Sequence, residues 1–323
     1  MQVYAVFNRD GGGASHIDFA QLCRLADHLF SANGHRVCGC HVVGGSQLGP
    51  TLDRVAGAAE PGDVLLVGGG DGTISLAASF ACRKGLILAV VPAGTMNLFA
   101  RAVALPMDPE RALEALAAGE VGTVDIATAN QRSFVHQFSV GLHSRLVLIR
   151  EGLTYRGRLG KMLASLRAMV AAVLRPPLFE IELGTGEGVR RFFASAVSVT
   201  NNLLTEGRVL QAASLDGGRL GIYIAGPMSS WAMATLCLRV LLGRWKQDGR
   251  VTELAVPAAT LRFPHHKASA RAVIDGELVR LSSEVVLRSH PGALRALLPR
   301  SEAVPPPEGY QASLRQDIVR VGN

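Results

Sequence analysis

The chain has 323 residues, of which 48% are hydrophobic and 18% are charged, and its formal net charge is +7. This composition excludes a chain that is disordered throughout, and the length suits one large domain or two modest ones. The positive charge favours anionic partners such as ATP or an acidic membrane surface. Aromatic residues make up only 5%, and no recognised nucleic-acid-binding motif occurs, so we expect no nucleic-acid partner.

The cysteines and the hydrophobic segments indicate the cellular compartment in which the protein is expected. The five cysteines are Cys23, Cys38, Cys40, Cys82 and Cys237. Their odd number and the lack of a C-x-x-C pair predict neither a zinc site nor a disulfide framework, and we expect reduced thiols. The amino terminus has no signal-peptide pattern, and Pro227 and Arg239 interrupt the most apolar stretch, 222–242. The sequence therefore predicts a cytoplasmic protein, either free or peripheral to the inner face of the membrane, and leaves the oligomeric state open.

The first part of the chain alternates short apolar runs with segments of helical periodicity. The predicted order is strand 3–7, helix 16–33, strand 37–43, helix 46–59, strand 63–67, helix 73–83, strand 86–91 and a short helix beyond Pro92. Such alternation indicates a parallel sheet with helices on both faces. Ligands bind sheets of this kind beyond the carboxyl ends of the strands.

Near residue 125 the pattern changes to a succession of short strands, which indicates a second domain dominated by antiparallel strands. The predicted strands are 121–127, 133–140, 179–183, 190–200, 219–225, 251–263, 268–274 and 284–288, with helices at 158–174 and 228–243. The helix at 158–174 carries Arg158, Lys161 and Arg167 on an apolar body, as a docked surface helix or one that touches lipid headgroups does. We expect the proline-containing tail 300–323 to be poorly ordered.

Three loops leave the carboxyl ends of the predicted parallel strands. They are segment 8–13 (NRDGGG), segment 69–73 (GGDGT) and segment 92–101 (PAGTMNLFAR). Glycines bring backbone N–H groups close to a ligand, and the start of the following helix favours an anion, so the second loop predicts a phosphate site. Asp71 would repel phosphate unless a divalent cation bridged the two. The spacing excludes a Walker A loop, which needs a lysine, and a Rossmann fingerprint, which needs a glycine in place of Thr73.

Two later acidic positions also stand out. Asp125 is a lone carboxylate within an apolar strand, so it needs a partner such as a metal or an arginine. Asp275-Gly276 has the signature of a hairpin turn, and Glu277 directly after it could project into a cleft between the domains.

Together these motifs resemble the diacylglycerol kinase-type lipid kinases, which are related to sphingosine and ceramide kinases and, more distantly, to NAD kinases. The resemblance covers roughly residues 1–299 and depends on loops 69–73 and 92–101 followed by Asp275-Gly276-Glu277. It implies an α/β amino-terminal domain with a parallel sheet that binds ATP, over residues 1–127. It also implies a β-sandwich-like domain over residues 128–299 that completes the lipid site.

The resemblance assigns roles to individual residues. Glu277 would be the catalytic base, and Asp71 and Asp125 would organise catalytic Mg²⁺ through water. Asp216 lies in a turn that binds a structural metal in some members. The nucleotide would be held by Asn8, Arg9, Asp10, Gly11, Gly12, Gly69, Gly70, Asp71, Gly72, Thr73, Thr95 and Asn97.

The chain departs from the family pattern at several of its motif positions. Arg9 replaces a proline, and Ser75 and Leu76 replace asparagine and glutamate. Leu98 replaces a magnesium-organising aspartate, and Gly217 replaces the second acid of the structural-metal turn. These changes bear on metal binding and activity more than on the fold.

The sequence thus predicts ATP- and Mg²⁺-dependent phosphorylation of a lipid hydroxyl, such as that of diacylglycerol, with contact to an anionic membrane. Two alternatives stay open. One is a kinase of a soluble acceptor, as in the NAD kinases, and the other is a nucleotide-binding regulatory protein with weakened catalysis. An apolar cleft in the second domain would favour the lipid kinase over a dinucleotide site.

Overall fold

The structure is a computed structural model that describes residues 1–151, 170–171, 173–205, 212 and 214–300. Most of the helix predicted at 158–174 lies outside the described residues, and so does the predicted tail after residue 300. No helix within the described ranges is both long enough and apolar enough to span a bilayer.

The amino-terminal unit is a parallel sheet flanked by helices, as predicted. Its elements are β1 (Gln2–Asn8), α1 (Phe19–Ala32), β2 (Arg36–Val43), α2 (Gly45–Ala58), β3 (Val64–Gly69), α3 (Asp71–Lys84), β4 (Ile87–Pro92), α4 (Leu98–Ala102) and α5 (Pro109–Ala117). The strand order is β2-β1-β3-β4, and all three pairings are parallel. Every residue of β3 and β4 is buried, because helices cover both faces of the sheet.

The carboxy-terminal unit is built mainly from antiparallel strands. Its elements are β5 (Glu120–Ala129), β6 (Arg132–Phe134), β7 (Gln137–Gly141), α6 (Leu142–Glu151), β8 (Phe179–Thr185), β9 (Gly188–Ala194), β10 (Ala196–Asn201), β11 (Leu220–Ala225), α7 (Ser230–Leu241), β12 (Val251–Val256), β13 (Ala258–Arg262), β14 (Arg271–Ile274), β15 (Glu277–Arg280) and β16 (Glu284–Leu298). Short 3-10 helices lie at Ala14–His16 and Trp245–Gln247.

Two sheets pack face to face in this unit. One has the order β12-β11-β10-β7-β14-β15, and the other contains β5, β6, β8, β9, β13 and β16. Phe138 and Ile222 from the first sheet share a buried core with Leu261 and Leu287 from the second. This arrangement confirms the predicted sandwich-like second unit.

Strand β16 joins the two units. It pairs antiparallel with β13 and β5, and near its end Ala296 pairs in parallel with Leu88 of β4. Leu294 and Leu297 of this strand belong to the amino-terminal core. A single ten-stranded sheet therefore runs through both units and fixes the position of one against the other.

Several predicted strands end earlier or later than expected, and each difference has a structural reason. The segments 190–200 and 251–263 each form two strands that lie in different sheets, separated by Ser195 and Pro257. The amide of Ser195 donates to Ala225, and proline has no amide to continue a ladder. Strand β16 is longer than predicted because its second half pairs with elements distant in sequence, and α5 and α6 were not predicted.

The expectation of reduced thiols throughout is wrong for one pair, because Cys23 and Cys40 form a disulfide. Helix α1 lies over β2, which brings the two Cα atoms to 5.9 Å although the residues are 17 apart in sequence. Cys38, Cys82 and Cys237 are free. A spacing rule based on C-x-x-C pairs cannot detect this pairing, since it depends on how the helix crosses the strand.

Candidate active site

Three glycine-containing loops meet at the carboxyl ends of β1, β3 and β4. The amide of Ala93 donates to the Gly69 carbonyl at 3.2 Å, and the amide of Gly13 donates to the Ala93 carbonyl at 3.2 Å. Glycine is required at this junction, because a Cβ on Gly94 would lie 2.5 Å from the Cα of Gly70. A Cβ on Gly11 would lie 2.9 Å from the Ala93 carbonyl oxygen. The loops are therefore packed backbone against backbone.

Side chains of the first loop hold it to its neighbours. The Nδ2 of Asn8 donates to the Oγ1 of Thr73 at 2.9 Å, and both residues are buried. The amide of Asp10 donates to the Oδ1 of Asn8, and the amide of Gly45 donates to the Oδ2 of Asp10 at 2.8 Å. Arg9 is exposed. Asn8, Asp10 and Thr73 thus shape the loops, and the amides of Asp10, Gly11 and Gly13 are already hydrogen-bonded within them.

Helix α3 begins directly in the second loop, with Gly70 as its N-cap. The first amides of a helix have no acceptor within the helix, and the positive end of the helix dipole lies at the same place. Gly72 is exposed and Thr73 is buried beneath it. This end of the helix is consequently an open cradle that suits a phosphate group.

Asp71 connects the second loop to the third. Its Oδ1 accepts a hydrogen bond from the Leu98 amide at 2.7 Å, at the start of α4. Asn97 adopts a left-handed conformation with a φ of 51°, and its Oδ1 accepts from the Gly94 amide at 2.8 Å. The Nε2 of His136 lies 3.6 Å from the same oxygen of Asp71. Asp71 is thus held in place by loop backbone, and the nearby Nε2 of His136 is buried with no hydrogen-bond partner among the described residues.

Asp125 is 2% exposed and obtains its partners from backbone amides. Its Oδ2 accepts from Gly218 at 2.6 Å and its Oδ1 accepts from Gly292 at 2.9 Å. The predicted need for a partner is met in this way, without an arginine. Asp216 is exposed, and among the described residues no three His, Cys, Asp or Glu side chains form a cluster suited to a metal ion. The metal roles of Asp71, Asp125 and Asp216 stay predictions.

Asp275 joins the two units, a role that the sequence did not reveal. Its carboxylate accepts from the Oγ of Ser75 at 2.5 Å and from the amides of Val135, His136 and Gln137 at 2.8–2.9 Å. The residue is buried and has a φ of 45°. Ser75, which departs from the family pattern, therefore ties α3 to the turn between β14 and β15.

Glu277 follows this turn and lines a cleft of about 660 Å³. The cleft reaches Gly72 at the cradle, so the second loop and Glu277 line the same cleft. The side chain of Glu277 is 68% exposed and forms an ion pair with Arg132, on the hairpin between β5 and β6. No sequence motif pointed to Arg132, because its role depends on a contact across 145 residues.

The walls of this cleft combine apolar side chains with polar ones such as Asn130, Gln131 and Ser282. The apolar residues form one part of the lining. They include Leu76, Phe80, Phe138, Ile274, Val279 and Leu281. Leu76 extends from α3 at a position where the family pattern has glutamate, so this departure adds apolar surface to the cleft. Arg83 and Arg280 lie at the same cleft, and the Arg83 guanidinium stacks on the Phe80 ring at 4.7 Å.

Comparison with known proteins shows what this chain is similar to. Residues 2–129 match the family model described as the diacylglycerol kinase catalytic domain. The predicted resemblance to the diacylglycerol kinases is confirmed. A protein named diacylglycerol kinase from Staphylococcus saprophyticus is 27% identical over 172 residues, which are 50% of this chain and 54% of the relative. The protein named "Probable lipid kinase YegS-like" from Serratia proteamaculans is 40% identical over 87 residues, 25% of this chain and 28% of the relative.

The similarity to solved structures extends further along the chain. A crystal structure described as a diacylglycerol kinase from Bacillus anthracis strain Sterne superposes with a TM-score of 0.67 at 16% identity. The match covers 94% of this chain and 98% of that one. At this identity the likeness to the diacylglycerol kinases shows the fold, including the second unit. In sequence, this chain spans only about a quarter to a half of the length of the two relatives above.

Proposed function

We propose that this protein is an ATP- and Mg²⁺-dependent lipid kinase, which phosphorylates a hydroxyl group of diacylglycerol or of a related lipid. The observation that carries this proposal is the cleft itself, because it contains Glu277, opens at the glycine cradle and has apolar side chains in part of its lining. A phosphate donor and an acceptor hydroxyl would meet there. A lipid acceptor further requires the protein to reach a membrane surface, and we place it in the cytoplasm at that surface.

The residues present fit a bound nucleotide. The amides at the start of α3, with the exposed Gly12 of the loop 8–13, would hold the phosphates, and the exposed Thr95 lies in the adjoining loop. For magnesium the donor set is smaller, since Leu98 supplies no acid and Asp125 already accepts two amides. Asp71 is the residue that would hold the ion, together with the nucleotide oxygens. Magnesium would neutralise charge on the phosphoryl group during transfer.

Glu277 would act as the general base. As the acceptor oxygen bonds to the γ-phosphorus of ATP, the bond to ADP breaks and the hydroxyl proton passes to the Glu277 carboxylate. Arg132 holds this carboxylate at the cleft. The backbone amides of the loops would stabilise the phosphoryl charge from the opposite side.

The apolar part of the cleft lining favours a lipid acceptor over the dinucleotide of the NAD kinases. Leu76 and Phe80 from α3 face Val279 and Leu281 from the second unit across the cleft. These side chains offer apolar surface that an acyl chain would bury.

The Glu277→Gln variant tests the proposal. We expect turnover to fall by ~100-fold or more, the usual contribution of a general base, while ATP binding is retained. The assay is transfer of labelled γ-phosphate from ATP into a panel of lipids. Glu284→Gln is the matched control, because Glu284 is also an exposed glutamate paired with an arginine, Arg262.

Two results would contradict the proposal. Equal turnover in Glu277→Gln and Glu284→Gln would remove Glu277 from the mechanism. ATP binding without transfer to any lipid by the unmodified chain would favour the regulatory, catalytically weakened alternative.

A further inference from the structure

The outer face of helix α7 is apolar and faces solvent. The side chain of Trp231 is 79% exposed, and Leu238, Leu241 and Leu242 are each more than half exposed. Their spacing of 7, 10 and 11 residues from Trp231 puts all four on one side of the helix. We call these four residues the α7 outer face. Scattered single apolar residues are normal on a protein surface, but an aligned row of four is not.

The opposite side of α7 is fixed to the sandwich. Met233 and Leu236 are buried, and Leu236 packs with Tyr223 and Trp245. The Oγ of Ser229 accepts from the Ala232 amide and caps the helix. Among the described residues, the helix is held by this inner side and by the Oγ of Ser230, which donates to the Leu174 carbonyl, so the outer face is not needed for packing.

Positive charge adjoins the α7 outer face at the carboxyl end of the helix. Asp248 is almost fully buried and pairs with Arg239 and Arg250. Glu253 pairs with Lys246. Both acids of this cluster are therefore neutralised by cations. Arg244 is exposed and, among the described residues, forms no ion pair. The cluster contains more cations than acids. The cations are Arg239, Arg244, Lys246 and Arg250, and the acids are Asp248 and Glu253.

The size of the α7 outer face argues against a second copy of the chain as its occupant. A helix of 12 residues is about 18 Å long and about 10 Å wide, so one face offers roughly 200 Å². A stable protein–protein interface buries about 800 Å² on each partner. A bilayer requires no such minimum, because it accepts an apolar stripe beside cations as a shallow insertion.

We propose that the α7 outer face is a docking surface for anionic lipid bilayers. Trp231 and the three leucines enter the interfacial region, while the neighbouring arginines and Lys246 contact the lipid phosphates. This surface is separate from the cleft that contains Glu277, and it deepens the proposed function by stating how the protein reaches a lipid acceptor. Docking needs neither ATP nor transfer.

Fluorescence of a single tryptophan tests the docking surface directly. The chain has two tryptophans, Trp231 and the buried Trp245, so Trp245→Phe leaves Trp231 as the only emitter. Without vesicles we expect the emission of a water-exposed indole. Vesicles that contain phosphatidylglycerol should shift the emission to the blue, vesicles of phosphatidylcholine alone should shift it much less, and added salt should weaken the response.

A second measurement uses the full-length chain with both tryptophans. Leu238→Glu should lower co-sedimentation with phosphatidylglycerol vesicles by about tenfold, because one buried leucine is lost and a negative charge is added. The matched control is Val121→Glu, at an exposed valine near the start of β5, which should leave binding unchanged.

Four outcomes would overturn the docking surface. They are no emission shift with any vesicle, equal loss of binding in both variants, a blue emission before vesicles are added, and an emission shift that follows protein concentration alone. The third would show that another part of the chain covers the face, and the fourth that a second copy does. Equal turnover in Glu277→Gln and Glu284→Gln together with intact vesicle binding would contradict the catalytic role of Glu277 and leave the docking surface in place, so the two proposals can fail separately.

Discussion

Gly94 shows how far the candidate site depends on single backbone positions. Its Cα faces Gly70 across the junction of the second and third loops, and no side-chain atom fits between them. The sequence predicted that glycines in these loops allow close approach. It could not show that the loops approach one another as well as a ligand.

The Gly94→Ala variant should weaken ATP binding by at least ~10-fold, because the added methyl group pushes the two loops apart. Calorimetric titration with ATP is the measurement. Gly57→Ala is the control, since a Cβ at Gly57 meets nothing within 4 Å. ATP affinity that is unchanged in Gly94→Ala would show that the cradle does not depend on this packing.

Asp275 is the residue whose structural role was hardest to predict from the sequence. Asp-Gly is a common turn signature, and it predicted the hairpin between β14 and β15 correctly. The four hydrogen bonds to the Asp275 carboxylate come from residues more than 130 positions away in sequence. Local patterns contain no information about such contacts. For the same reason, Arg132 beside Glu277 and His136 beside Asp71 were missed.

At the scale of elements, helix α7 is joined to the following loop by a buried carboxylate. The hydrogen-bonded guanidinium of Arg250 lowers the pKa of Asp248 to about 2 from its usual value of 3.8. A carboxyl group with a lowered pKa stabilises the fold above its unfolded pKa, and this contribution is lost as the pH falls towards 2.

Asp248→Asn should therefore lower the free energy of unfolding by about 1–2 kcal/mol near neutral pH. The difference from the unmodified protein should shrink as the pH falls from about 4 to about 2. Urea denaturation at a series of pH values measures it, with Asp216→Asn as the exposed control. A difference that is constant over this pH range would contradict the role of the Asp248 charge.

The elements themselves were predictable where hydrophobic periodicity is local. The alternation of strands and helices up to β4 followed the sequence closely, since β3 and β4 are continuous buried runs and most of β1 is buried. The sandwich was harder, because Ser195 and Pro257 move the chain between sheets with no gap in the apolar pattern. The helices α5 and α6 were missed, and the disulfide between Cys23 and Cys40 depends on tertiary packing alone.

At the scale of the whole molecule, the shared sheet predicts that the two units unfold together. Strand β16 pairs with β13 and β5 of the second unit and with β4 of the first. Both tryptophans lie in the second unit, whereas ATP binding would report on the first. The change in tryptophan fluorescence with urea and the loss of ATP binding with urea should therefore have the same midpoint. Two separate midpoints would show that the sheet does not couple the units.

The pairing of Ala296 with Leu88 has a consequence for biosynthesis. The stretch that matches the catalytic-domain family, residues 2–129, is made first, but the edge of β4 is completed only by a strand at the far end of the described chain. Nearly 300 residues must therefore be synthesised before β4 can pair with β16. Fragments cut at the apparent boundary would carry an open strand edge and bare apolar surface, which favours aggregation.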